Sequence, residues 1–281
     1  GGIEAGGTKF VCMAGTDPDH IDREIRFPTT TPGETISQVV EFFTPYYQKN
    51  QLLGIGIGSF GPVDLQNNSS KFGYITSTPK PGWQNTNICG DISKIINVPI
   101  AFDTDVNAAA FGELYWSGAK GKLDPFVYIT VGTGIGVGVI ANQAPIHGLV
   151  HTEGGHILIP QDKMSDPFEG ICPYHKNCLE GLASGPAIKA RWNIPAQDLP
   201  DNHPAWDLEA RYIALAICNI IMMYSPMRIV IGGGVAQHPG LLDVIRSKTL
   251  SLVNNYVQSD TLLNNISDYI IPPKLGNQSG V

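Results

Sequence analysis

Charge is scarce in this chain. Asp, Glu, Lys and Arg make up 15% of the 281 residues, and the balance is acidic, with Lys+Arg 18 against Asp+Glu 25. A net charge of −7 lacks the basic field that a nucleic-acid partner requires, so nucleic acid is not expected as a partner. Long hydrophobic runs are missing as well. No apolar stretch reaches the ~20 residues of a membrane-spanning helix, and the start carries no charged-then-apolar signal segment. These absences point to a cytoplasmic protein with no membrane partner. Cysteine is sparse and odd in number. Cys12, Cys89, Cys172, Cys178 and Cys218 are scattered and make a poor disulfide framework. The composition is nevertheless globular, with 42% hydrophobic residues, and the length suits two lobes or one large domain.

Glycine is what the chain has in quantity, 32 residues clustered at 1–7, 54–61, 132–138 and 232–234. Glu4-Ala-Gly-Gly-Thr-Lys lies between two apolar pieces and reads as strand, tight turn, strand. The backbone N–H groups of Gly6, Gly7 and Thr8 are candidates to face phosphate oxygens. The segment is not a Walker A loop, because Thr8-Lys9 reverses the required order and a strand follows. A plain hairpin turn is the alternative. Val127 to Ile140 repeats the pattern around Gly132-Thr-Gly-Ile-Gly, so two related lobes are expected. Arg228-Ile-Val-Ile enters a third turn, Gly232-Gly-Gly. Three such turns suit a nucleotide clamped between lobes.

Hydrophobic spacing predicts helices over 34–48, 207–224 and 241–256. Residues 65–87 read as a long polar surface loop. Val98-Pro-Ile-Ala-Phe reads as a strand that ends in Asp103-Thr-Asp-Val-Asn before a helix, so Asp105 sits at a strand-to-helix corner. Such corners bind ligands in α/β sheets, and a carboxylate there can accept a hydroxyl proton during phosphoryl transfer. An N-cap role is the alternative. The mix of strands and helices is α/β. The C-terminal Gly-rich turn lacks a closing element, and further residues are expected after Val281.

Cys172-Pro-Tyr-His175-Lys-Asn-Cys178 places three soft ligands three residues apart. Tetrahedral Zn²⁺ takes four N/S ligands, and His156 is the nearest upstream histidine in a glycine-rich setting. A dithiol or coincidence is the competing reading.

Assembled, these pieces resemble the ROK family of bacterial sugar kinases over the whole chain, closest to its fructokinase branch. The matching motifs are Glu4-Ala-Gly-Gly-Thr-Lys, Gly54 to Asp64, Thr78-Pro-Lys-Pro-Gly-Trp83, Asp105-Val-Asn-Ala-Ala-Ala, Gly132-Thr-Gly-Ile-Gly, Glu153-Gly-Gly-His156, Cys178-Leu-Glu180 and Ile231-Gly-Gly-Gly-Val. The resemblance implies a two-lobed, actin-like (ribonuclease-H-like) fold with a central cleft. It implies a small lobe over 1–115 and a larger one over 116–281. It also implies a homodimer that phosphorylates a hexose, D-fructose first, with ATP, Mg²⁺ and a structural Zn²⁺. Asp105 then matches the catalytic base. Gly61, Thr104, Asp105, Glu153, His156 and Glu180 match sugar contacts. Gly7, Thr8, Lys9, Thr133, Gly134, Pro186, Gly233 and Gly234 match nucleotide contacts. His156, Cys172, His175 and Cys178 match zinc ligands, with His156 also facing the sugar through its other ring nitrogen. Glu4 departs from the usual Asp, Thr104 from the usual Asn, and His175 from a commoner Cys-rich loop. Glucokinase, mannose or N-acetylmannosamine kinase and a sugar-sensing repressor are the alternatives. The repressor members carry a winged helix before the first loop, where this chain has three residues.

Overall fold

The computed structural model describes the backbone of residues 1–281 and every side chain except that of Asn277. The chain divides into two compact units. The first holds Gly1–Gly118, Pro145–Thr152 and Asn277–Val281; the second holds Ala119–Ala144 and Glu153–Gly276. This division differs from a single boundary at 115/116, because two later segments return to the first unit. Ser279 Oγ donates to Glu113 Oε1 at 2.7 Å, and Gly280 lies against the Glu4 side chain.

In the first unit β1 (Gly2–Ala5), β2 (Lys9–Asp17) and β3 (His20–Pro28) form consecutive antiparallel hairpins. Helix α1 (Pro32–Gln48) follows. Thr31 caps it by accepting the Glu34 N–H at 3.4 Å, proline opens its first turn, and Ile36, Val39, Phe42 and Phe43 form its buried face. Then come β4 (Ile55–Ser59), β5 (Tyr74–Ile75), β6 (Thr86–Asn87), α2 (Ile88–Ser93), β7 (Ile100–Thr104) and α3 (Asp105–Trp116). The sheet order is β3-β2-β1-β4-β7, with β1, β4 and β7 parallel.

The second unit repeats the plan. It comprises β8 (Phe126–Val131), β9 (Ile135–Ala141), β10 (Ala144–Pro145, whose Pro145 belongs to the first unit), α4 (Leu179–Ala183), α5 (Gly185–Trp192) and α6 (Ala205–Tyr224). It continues with β11 (Arg228–Gly232), α7 (Leu241–Val253), α8 (Asp260–Leu263), α9 (Ile266–Tyr269) and β12 (Ile270–Ile271). Its sheet order is β10-β9-β8-β11-β12, with β8 and β9 antiparallel and β8, β11 and β12 parallel. Strands β8 and β11 are almost wholly buried, which is why they read as continuous apolar runs. Among the described residues no helix is long and apolar enough to cross a membrane.

Residues 65–87 require a correction. They are not simply a surface loop. Strands β5 and β6 pair within them, and Trp83 is completely buried. Its ring lies 5.6 Å from that of Phe10 and 5.5 Å from that of Phe60. Its Nε1 donates to Thr30 O at 2.8 Å. A tryptophan flanked by Pro, Gly, Gln and Asn belongs to no periodic apolar pattern, so sequence spacing does not reveal its burial. Removing that ring leaves a cavity and an unpaired carbonyl. Trp83→Ala should therefore destabilise the protein by about 3–5 kcal/mol, measured by urea unfolding. A loss under about 1 kcal/mol would mean that the ring is not a core anchor.

Candidate functional site

The candidate catalytic corner lies at the end of β7. Thr104, not an acid, caps α3. Its hydroxyl accepts the Asn107 N–H at 3.2 Å, and the side chain is 4% exposed. The hydroxyl hydrogen is what Thr104 has left to offer a ligand. Asp105 is the first helical residue and half-buried, and its Oδ1 accepts the Val106 N–H at 2.8 Å. Asp103 is occupied elsewhere. Its Oδ1 accepts the Thr104 N–H at 2.7 Å and the Asn107 Nδ2 at 2.8 Å, and its Oδ2 lies 2.9 Å from His147 Nε2. Helix α3 sits close on β4, because a Cβ on Gly58 would fall 2.6 Å from Ala108 Cβ and 3.3 Å from Asp105 Cα. Glycine at this position is what lets the corner seat on the sheet. Glu4 stands opposite Gly58 in the sheet register. Burial pushes its carboxyl above the ordinary range, with Lys9 and Arg26 pulling the other way.

The first glycine turn differs from expectation in one respect. The Gly6 N–H is already donated to Lys9 O at 3.0 Å, closing the hairpin. Gly7, with no protein atom within 4 Å of a Cβ position, and the exposed Thr8 and Lys9 are left as the candidate phosphate contacts of this unit.

In the second unit three segments meet. Gly132 N–H donates to Gly134 O at 2.9 Å, and Gly132 O accepts the Gly185 N–H at 2.8 Å. Gly132 also lies beside the Gly234 nitrogen. Gly233 has φ +92°, and a Cβ there would fall 2.3 Å from Val131 O, so both space and conformation demand glycine. A Cβ on Gly234 meets nothing within 4 Å. Thr133, Gly134, Pro186, Gly233 and Gly234 therefore belong to one glycine-lined junction. The sequence reading passed over Ser184, which caps α5 by accepting the Ala187 N–H at 3.3 Å. The signal was present as Ser-Gly-Pro, a cap followed by proline in the first turn.

The sugar candidates of this unit are referenced to the same hairpin. Glu180 Oε2 accepts the Ile135 N–H at 2.9 Å. Glu153 precedes a 3₁₀ turn, Gly154–His156. A Cβ on Gly155 would lie 1.8 Å from Ile135 O, and one on Gly154 2.6 Å from Val137 Cβ. The two glycines thus let Glu153 and His156 sit directly on β9.

The four soft ligands converge. His156, Cys172, His175 and Cys178 offer ligand atoms that all lie within 4.8 Å of one another. His156 Nδ1 is 3.5 Å from Cys178 Sγ and 3.8 Å from Cys172 Sγ, and His175 Nδ1 is 3.7 Å from Cys172 Sγ. Tetrahedral Zn²⁺ with its usual bond lengths sets N···S edges of about 3.6 Å, so the donor set fits. The loop is closed by its own hydrogen bonds. Cys172 and Lys176 exchange backbone hydrogen bonds of 3.2 and 3.0 Å, and the His175 N–H points at Cys172 Sγ at 3.4 Å. Asn177 Nδ2 ties the loop to Gln161 Oε1 at 3.1 Å. Burial, with a smaller contribution from Cys172, pushes the metal-free Cys178 thiol up to about 11, against the pull of the Gly181 N–H. A bound cation displaces that proton.

A model of the ROK family matches residues 1–281. A fructokinase of Streptococcus mutans is 45% identical over 276 residues, covering 97% of this chain and 91% of its own. A fructokinase of Lactococcus lactis subsp. cremoris is 44% identical over 257 residues, covering 92% and 86%. The crystal structure of a ROK family glucokinase from Streptomyces griseus, in complex with glucose and AMPPNP, matches with a TM-score of 0.78 at 21% identity, covering 99% of this chain and 95% of that one. This last likeness establishes the fold, the two-lobed actin-like α/β fold of sugar kinases.

The ligand geometry makes a quantitative expectation. Purified protein should carry about one zinc per chain, with no position left for water. Cys178→Ser should lose the metal and lower the melting temperature. Elemental analysis finding no stoichiometric zinc in folded, active protein would sink the assignment.

Proposed function

The chain belongs to the ROK family, and we propose that it transfers the γ-phosphoryl group of MgATP to O6 of D-fructose, giving D-fructose 6-phosphate and ADP. The observation that carries this reading is the pair of fructokinases 44–45% identical across more than nine-tenths of the chain. The Asp105 carboxylate at the strand-to-helix corner and the glycine-lined junction of the second unit support it.

Each unit supplies a different part. The first offers Asp105 and the Gly7–Lys9 turn, and the Gly61 loop as a sugar contact. The second offers Glu153, His156 and Glu180 for sugar hydroxyls, and Thr133, Gly134, Pro186, Gly233 and Gly234 for the nucleotide. An ordinary carboxylate, with a pKa of about 3.9, is too weak to ionise a free alcohol. Asp105 need only take the O6 proton late, as the oxygen–phosphorus bond forms and the bond to the β-phosphate oxygen breaks. Positioning then supplies most of the acceleration. Mg²⁺ enters as part of the MgATP substrate, where it neutralises phosphate charge. Zinc held by His156, Cys172, His175 and Cys178 supplies no chemistry; it fixes the His156 ring so that its other nitrogen can face the sugar. In this reading the enzyme works in the cytoplasm as a homodimer, where ATP is available and five unpaired cysteines stay reduced.

Two measurements test the reading together. Asp105→Ala should lower kcat by about 10²–10⁴-fold with a far smaller effect on ATP binding, and Asp103→Ala should be milder. A coupled ADP-release assay on fructose, glucose, mannose and N-acetylmannosamine should give fructose the highest kcat/KM. Near-normal turnover in Asp105→Ala would remove the base, and glucose exceeding fructose about tenfold would replace the substrate.

A further inference from the structure

Residues Pro145–Thr152 belong to the first unit, although Ala144 and Glu153 on either side belong to the second. The segment folds back on itself through a bridge between His147 and His151. Each histidine reaches the end of a different strand of the first unit's sheet. His147 Nε2 meets Asp103 Oδ2 at 2.9 Å, while the other oxygen of Asp103 accepts the Thr104 N–H and the Asn107 Nδ2 at 2.7 and 2.8 Å. One carboxylate therefore ties His147 to the residue before Asp105 and to the residue two after it. His151 is 6% exposed. Its Nε2 accepts the Val63 N–H at 3.1 Å, and its Nδ1 faces Thr152 O at 3.3 Å. A backbone donor on one nitrogen and a carbonyl on the other define a neutral ring with its proton on Nδ1. The same ring edge lies against Gly61, 3.4 Å from where a Cβ would stand. Gln66 Nε2 adds a third tie, to Gly148 O at 2.7 Å. Strands β4 and β7 are neighbours, with Ser59 opposite Thr104. The Gly61–Val63 loop and the Asp105 corner thus leave adjacent strand ends, and one short strap grips both.

We propose that His147 and His151 are positioning residues for phosphoryl transfer. His147 sets the Asp105 corner through Asp103, and His151 sets the Gly61–Val63 loop by accepting the Val63 N–H. The assignment rests on reading Asp105 as the base and Gly61 as a sugar contact. The Asp103–His147 contact acts on the reacting carboxylate, so its loss falls on kcat. The His151 contact acts on the loop, so its loss falls on the sugar KM.

Steady-state kinetics on the full-length protein separate these effects. His147→Ala should lower kcat about ten- to hundredfold at an unchanged KM for ATP, the scale expected of a small misplacement of a reacting group. His147→Gln, which keeps a donor for Asp103, should recover most of the loss. His151→Ala should raise the sugar KM about tenfold with a smaller change in kcat, and His151→Gln, whose amide oxygen can accept the Val63 N–H, should recover it. ¹⁵N spectra of the wild-type histidines give a readout that depends on no variant: the neutral His151 ring should carry its proton on Nδ1 and leave Nε2 bare toward the Val63 N–H. Alanine variants that match the wild type, glutamine variants no better than alanine, or a His151 ring protonated on Nε2 would overturn the proposal. The variants are read on whichever hexose the wild type turns over best, so the sugar assignment can fail while the positioning role stands. The Asp105→Ala result judges the base separately.

Discussion

Both peptide groups of Ile135 are committed to the site. Its N–H holds the Glu180 carboxylate, and its carbonyl is pressed so closely by Gly155 that a Cβ there would lie 1.8 Å away. One residue at the start of β9 therefore fixes two segments of distant sequence, Glu153–His156 and the start of α4. The residues just before it form the Gly132–Gly134 turn, whose first carbonyl takes the N–H of Gly185 at the head of α5. The proposed sugar and nucleotide contacts of the second unit are thus measured from the same bend. The four-ligand cluster completes the arrangement. It joins His156 to the 172–178 loop, an isolated antiparallel bridge links Leu158 to Cys178, and Glu180 stands two residues beyond Cys178.

The two units share a strand order and a hairpin bend but carry different chemistry. In each, a glycine turn joins the first two strands, and parallel strands then extend one side of the sheet. A scaffold used twice offers two sets of strand ends, and ligands in α/β sheets gather at such ends. The first unit places a carboxylate at the end of β7. The second leaves glycine at the end of β11, where φ +92° at Gly233 excludes other residues. The copies also close their turns differently. Gly6 spends its N–H across the hairpin on Lys9, whereas Gly132 turns its N–H onto Gly134 two residues ahead.

Much of this was legible in the sequence, for identifiable reasons. Buried parallel strands such as Arg228-Ile-Val-Ile announce themselves as apolar runs ending in glycine. Three of the four candidate metal ligands fall within Cys172–Cys178, so spacing alone points to a cluster that the structure does bring together with His156. The strand-to-helix corner at 103–107 was legible, but its capping residue was not. Three polar side chains competed for the role, and only the backbone shows that Thr104 takes it. Trp83 was hidden by its polar neighbours. His147 and His151 were hidden because their partners lie 44 and 88 residues away, and a lone histidine in a loop has no periodicity to betray it. Local chemistry is readable from spacing, while contacts that bind a loop to a distant strand end are not.

If zinc bound at the four-ligand cluster builds the sugar-binding segment and takes no part in phosphoryl transfer, its removal must touch sugar and nucleotide unequally. Calorimetric titration of fructose and of MgADP into zinc-loaded and zinc-stripped protein tests that division most directly. Stripping should weaken fructose binding about tenfold or more, the scale on which ordered ligand shells act, while MgADP affinity falls far less. Readdition of zinc should restore both. Fructose affinity that ignores the metal, or equal losses for fructose and MgADP, would contradict the account.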